Sequence, residues 1–277
     1  MELKDKAVYF LNNLNIVQKI IFYMFCIHFF PYLIDVVIYL FKLKFNSQSL
    51  FEWFYISANI SELIFKPWSI FTYGFFHNQN SFSHIFWNSL LFYYFGNIVY
   101  DLFGKKNLIR LFFSGIIAGG VTYVISYNLF PVFSDVKSSM IGSSAGVTSV
   151  IFFLTFYSPN YKIRLFFFDL KLLYLAVFLF LYDIVQIPYG NAGGHIAHIG
   201  GAFWGYYYYR NLYKKNFIHS VYSFFESSKK KDILNKEKEN TFNQKKIDSI
   251  LDKISESGYN SLSKQEKDYL FKAGKKK

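Results

Sequence analysis

Several stretches of this chain run for close to 20 residues with almost no charge. That is about the length an α-helix needs to cross the hydrocarbon core of a bilayer. The apolar residues are gathered in blocks and do not alternate as they would along half-buried strands. Apolar residues make up 53% of the chain and aromatic residues 23%, far above an ordinary soluble domain. The expected fold class is therefore an all-α membrane protein. A large soluble helical core is the competing reading, and it accounts less well for the block lengths.

The net charge of +12 raises the question of a nucleic-acid partner. The basic residues sit mostly in the tail and in short loops, where a membrane protein places Lys and Arg on its cytoplasmic side. The expected partner is thus the lipid bilayer, with no nucleic acid. Cys26 is the single cysteine, so no internal disulfide forms. The N-terminus, MELKDKAVYF, carries acidic residues and lacks the short apolar core and small-residue site of a cleaved signal peptide.

Six transmembrane helices are expected, at about Ile20–Phe41, Phe82–Leu102, Leu108–Leu129, Ser144–Tyr157, Leu170–Ile187 and Ile196–Tyr213. The fourth is short for a full crossing. Lys105, Lys106 and Arg110 follow the second, Lys162 and Arg164 follow the fourth, and Lys214 and Lys215 follow the sixth. The alternate loops are poorer in basic residues, so both termini are expected in the cytoplasm. Residues 42–80 are aromatic-rich and interrupted by Pro67, and read as amphipathic helices lying in the outer interface. The expected organisation is an N-terminal cytoplasmic segment (1–19), a six-helix membrane domain (20–214), a charged linker (215–243) and a small helical appendage (244–277). In the appendage Ile247, Ile250, Leu251 and Ile254 fall at helical spacing, and Ser263 with Glu266 forms a capping-box pattern.

Polar groups in hydrocarbon are costly, so each one asks for a reason. His84 and Asn88 are four residues apart and share one helix face. The fourth span opens with Gly142-Ser143-Ser144-Ala145-Gly146, and the sixth carries His195 and His198 near its outer end. All three clusters are expected at similar depth on the outer side. A serine hydroxyl becomes a nucleophile when a base takes its proton, and histidine is the usual base. The anionic intermediate needs preplaced donors, which Asn, His and a backbone N–H at a helix start can supply. Packing is the duller reading of each piece, since Gly201 and Gly205 make a small-residue contact face. Spacing alone leaves Ser143 open against Ser144 and His195 open against His198. Those two histidines, three apart, are expected to point to neighbouring faces and not to line one seam equally. Asp183 is expected to reach water or cap the following loop, and His28 and Asp35 to be packing or interface residues and not a proton path.

With these motifs in hand the sequence resembles the rhomboid family of intramembrane serine proteases, over about Trp68–Gly205. Gly142-Ser143-Ser144-Ala145 fits the family's Gly-x-Ser-Ala motif, and Ala197-His198-Ile199-Gly200-Gly201 fits Ala-His-x-Gly-Gly. His84 and Asn88 match His-x-x-x-Asn, and His77 matches an earlier family histidine. Leu63–Phe76 and the tail pattern ILDKISESGYNSLSKQEKDYLF look most like rhomboids of Bacteroidetes bacteria. The resemblance implies a six-helix rhomboid bundle in a bacterial inner membrane. It implies Ser144 as nucleophile, His198 as base and His84 and Asn88 as oxyanion donors, in a dyad with no third carboxylate. No cofactor or metal is implied. Substrates would be single-span or multi-span membrane proteins cut in or near a transmembrane helix. Two positions depart from the family: Thr148 stands where a tyrosine is common, and Ser69 follows Trp68 where arginine is common. The rival reading is a rhomboid-like pseudoprotease that holds clients without cutting them. A small transporter is a third, and the internal repeat it would favour is not evident.

Overall fold

The computed structural model describes residues 3–165, 168–212 and 248–258, with 261, 263–265 and 267–269 beyond them. The chain divides into two units, Met1–Leu212 and Tyr213–Lys277. In the second, residues 248–257 are helical. That helix stops where the Gly258 N–H donates to the Ile254 carbonyl at 2.9 Å. The stretch read as a linker, Ile247 of the helical pattern and Glu266 of the capping box lie outside the described residues.

The first unit begins with α1 (Leu3–Asn13) and α2 (Ile16–Leu40). The first apolar block is helical from Ile16, ahead of the expected Ile20. Asn15 explains the early start: its side chain accepts from the Gln18 N–H while the Gln18 side chain accepts from the Asn15 N–H, both at 2.9 Å. Pro31 lies inside α2 and removes one backbone donor there. Residues 42–80 hold α3 (Ser47–Phe51), strand β1 (Ile56–Ser57), α4 (Ile60–Phe65) and α5 (Ser69–Thr72). Trp68 is tied back into this segment by its indole N–H, which donates to the Trp53 carbonyl at 2.9 Å.

The second and third blocks form one 48-residue helix, α6 (Phe82–Leu129), with a break at Gly104. At 1.5 Å per residue the whole would be about 72 Å long, more than twice a hydrocarbon core. Gly104 adopts φ 79° and ψ 168°, a backbone conformation closed to most L-residues. Space is not the reason for glycine, because a side chain there would meet nothing within 4 Å. The Lys105–Arg110 stretch, read as a loop, is thus helical: one residue turns the chain. Asn107 covers the break by donating to the Phe103 carbonyl at 2.8 Å.

After α6 come strand β2 (Ser139–Met140) and α7 (Ser144–Tyr157). Strands β3 (Lys162–Leu165) and β4 (Phe168–Lys171) then form an antiparallel hairpin at the basic loop, which the sequence reading did not foresee. Helices α8 (Leu172–Gln186) and α9 (Ala192–Asn211) follow, joined by a short turn through Ile187–Tyr189. Helix α9 starts four residues before the expected Ile196, so His195 and His198 are both helical.

The core sits around α7, which packs against α6 and α9. Small residues make this possible. A side chain at Gly201 would run into the Ala145 carbonyl, and one at Gly205 into the Ser149 carbonyl. Ser149 and Thr155, buried in α7, donate to the carbonyls of Gly146 and Ile151 at 2.7 and 2.9 Å, so their hydroxyls are not left unpaired. Among the described residues, three helical stretches are long and apolar enough to cross a membrane: Ile16–Leu40, Phe82–Leu129 and Leu172–Tyr189. Helix α7 is apolar but shorter.

Candidate active site

The polar clusters converge on one cavity of about 1070 Å³, lined by residues from α6, α7, α8 and α9. His84, Asn88, Ser144, Asp183, His195 and His198 all line it. Thr148, one turn along α7 from Ser144, lines it too.

Local backbone sets the serine. Gly142 has φ 128° and donates its N–H to the Tyr73 carbonyl at 3.0 Å. β2, just before it, pairs with β1, with Ile56 opposite Met140 and Ser57 opposite Ser139. The chain then turns into α7, whose first intrahelical bond runs from the Val147 N–H to the Ser143 carbonyl. The N–H groups of Ser144, Ala145 and Gly146 therefore have no helical partner, and the positive end of the helix dipole lies beside the cavity.

The two serines are separated by what their hydroxyls face. Ser143 is fully buried and its Oγ lies 3.2 Å from His77 Nε2. Ser144 faces the cavity. Burial, with smaller contributions from His84 and His28, pushes the His77 imidazole down to about 3. His77 is thus a neutral strut behind the serine turn.

His84 leans over that turn. A methyl group added at Gly142 would lie 2.8 Å from His84 Nε2 and 3.7 Å from Ser144 Oγ, so both atoms border one spot. Only glycine leaves that spot open. The Asn78 N–H points to His84 Nδ1 at 3.3 Å, which puts the proton of the neutral ring on Nε2, facing the serine. Asn88 donates one amide hydrogen to the His84 carbonyl at 2.8 Å, which fixes its side chain against α6.

The opposite wall departs from the sequence reading. Asp183 was expected to reach water or cap a loop. It is instead buried, and its Oδ1 lies 2.8 Å from His195 Nδ1 and 2.8 Å from His198 Nδ1. The two histidines were expected on neighbouring faces and not to line one seam equally; one carboxylate oxygen joins them. The cause is the α8–α9 turn. Asp183 stands six residues before Tyr189 and His195 six after it, so the hairpin sets them opposite each other. His198 follows a little under one turn further along α9, close to the same face. With Nδ1 donating to Asp183, the Nε2 of His198 is left as an acceptor. Among the described residues no hydrogen bond joins Ser144 to His198. The ligand atoms of Asp183, His195 and His198 all lie within 4.8 Å of one another. Their 2.8 Å separations are those of hydrogen bonds, and each Nδ1 is satisfied by the carboxylate.

An arrangement of this kind offers a hydroxyl, an imidazole acceptor and, on the other side, an imidazole N–H with free backbone N–H groups. Those are the parts of acyl transfer. Comparison with known proteins points the same way. Residues 65–215 match the family model described as "Rhomboid domain". Residues 231–276 match a "Family of unknown function (DUF6576)", which takes in the end of the stretch read as a linker and nearly all of the appendage. The chain is 28% identical over 131 residues to RHOMBOID-like protein 12, mitochondrial, of Arabidopsis thaliana, covering 43% of this chain and 39% of that protein. It therefore spans well under half the length of that curated relative.

Proposed function

The chain belongs to the rhomboid family, and from that premise we propose that it is an intramembrane serine endopeptidase acting through Ser144 and His198. It is a multi-pass membrane protein, with several apolar helices and the rhomboid domain. The single observation that carries the proposal is the shared cavity, which Ser144 at the free end of α7 lines together with His84 and the α9 histidines.

In the proposed reaction Ser144 Oγ attacks the peptide carbonyl carbon, and its proton passes to His198 Nε2. The oxyanion is held by His84 Nε2–H, the Ser144 N–H and the Asn88 amide. The tetrahedral intermediate then collapses, the C–N bond breaks and His198 returns the proton to the leaving amine. Water, deprotonated by His198, hydrolyses the acyl-enzyme. The substrates are membrane proteins with one or more spans, cut in or near a transmembrane helix. A six-helix domain over 20–214, cytoplasmic termini and a bacterial inner membrane are parts of the same reading. They rest on the spacing of the basic residues between the apolar blocks and on the likeness of the tail to Bacteroidetes rhomboids.

The test is labelling of the full chain, in detergent, by a serine-directed fluorophosphonate, beside cleavage of single-span peptides read by mass spectrometry. Labelling and cleavage should vanish in Ser144→Ala and survive in Ser143→Ala. Client binding without labelling would replace the protease with a pseudoprotease.

A further inference from the structure

We infer that Asp183 is a positioning residue for His198, so that the serine proton is taken by an imidazole held and stabilised by a carboxylate and not by an unsupported one. This rests on the protease reading above and deepens it.

A buried carboxylate is costly. Asp183 lies in an apolar helix, is 7% exposed, and has two imidazole N–H groups on a single oxygen. An acid at that depth is expensive unless its charge is used. The two hydrogen bonds give it three consequences for His198. They hold the ring's plane, they keep the proton on Nδ1, and they leave Nε2 with its lone pair toward the cavity. When the ring takes the serine proton it becomes an imidazolium 2.8 Å from a carboxylate that is itself buried. A positioned carboxylate acts in this way in soluble serine hydrolases, without taking the proton itself.

His195 has a separate part. Its Nδ1 holds the same oxygen from the other side, and the Tyr182 ring packs against it with centroids 5.9 Å apart. It keeps the carboxylate aimed at α9 and is not the base. The other groups facing His198 across the cavity are His84 and Asn88 from α6 and Ser144 from α7, and none of them carries a negative charge.

The substitution Asp183→Asn separates charge from shape. The amide oxygen can still accept from both rings, but it offers no counter-charge to the imidazolium. If the NH2 turns inward, it forces the wrong tautomer on His198 and the loss grows. The experiment measures the rate of fluorophosphonate labelling of the full chain against pH, together with the fraction of protein labelled at completion. In that reaction the Ser144 oxygen attacks phosphorus, fluoride leaves and the serine proton goes to His198. Asp183→Asn should label about 10²-fold more slowly on the plateau, within the range expected when a general base loses its support. Its acid limb should move to lower pH, because the protonated ring has lost its counter-ion. Asp183→Glu, which restores the charge, should recover most of the rate and return the limb toward wild type. His195→Ala should label within about tenfold of wild type, whereas His198→Ala should not label.

An Asp183→Asn variant that labels within about twofold of wild type with an unmoved limb overturns the inference. So does a lower labelled fraction with an unmoved limb, which is a purely structural effect. Persistent labelling of Ser144→Ala would instead sink the protease reading itself, so the two failures are told apart.

Discussion

Helices α7 and α8 both lend polar side chains to the same cavity, yet the protein holds them in opposite ways. Nearly every residue of α7 from Ala145 to Thr155 is buried, and its neighbours α6 and α9 approach at glycine contacts. In α8 only Leu172, Ala176 and Asp183 are buried, while Tyr174, Phe178, Leu181 and Val185 face outward. The group proposed as nucleophile stands on the most constrained helix of the molecule, and the carboxylate on one of the least. Precision at the reacting atom needs the first. The second is tolerable because Asp183 is pinned at its far end by two hydrogen bonds, whatever the rest of α8 does.

The sharpest way to break this contrast is to crowd α7. Gly201→Val should drive a methyl into the Ala145 carbonyl and cost about 3 kcal/mol or more, enough to lose folded protein. The yield of monodisperse protein in detergent reads this, and a normal yield would mean that the α7–α9 seam is loose. Next in size is His84→Ala. It leaves α7 packed but removes the donor facing Ser144, and should slow peptide cleavage by about 10²–10³-fold. Steady-state kinetics on a single-span peptide measures it.

Smaller still is a pH effect behind the serine. The folded His77 imidazole lies near 3, below its ordinary 6.5, so the protein holds it neutral. Stability from this group is complete above 6.5 and is lost as pH falls toward 3, because the unfolded chain binds the proton first. Between pH 6.5 and 5 the loss should be about 2 kcal/mol. His77→Gln should flatten that part of a thermal-denaturation series, and an unchanged slope would remove His77 from the account. Least of all should be Phe178→Ala on the outer face of α8, within about 0.5 kcal/mol. A cost equal to that of Gly201→Val would erase the distinction between the two helices.

The apolar blocks, and the polar groups that interrupt them, were legible because hydrocarbon makes each polar residue an exception. Ser144, His84 and His198 stood out for that reason, and all of them line the cavity. Asp183 did not. A carboxylate near the end of a span usually means water, and its true partners lie across a turn whose register must be known first. The β1–β2 pair was invisible as well, since two residues carry no periodicity. Lys105, Lys106 and Arg110 suggested a loop because charge punctuates membrane segments, whereas a single glycine was enough to turn the chain.

The small pairing of β1 with β2 has a practical reach. Ile56 and Ser57 lie upstream of residue 65, where the family match starts, yet they grip the strand that runs into the serine turn. A chain pruned to the recognised stretch would retain every chemical group and forfeit its buttress. Minimal versions of this protein should therefore be cut before Ile56, or they will report on a serine turn that has come adrift.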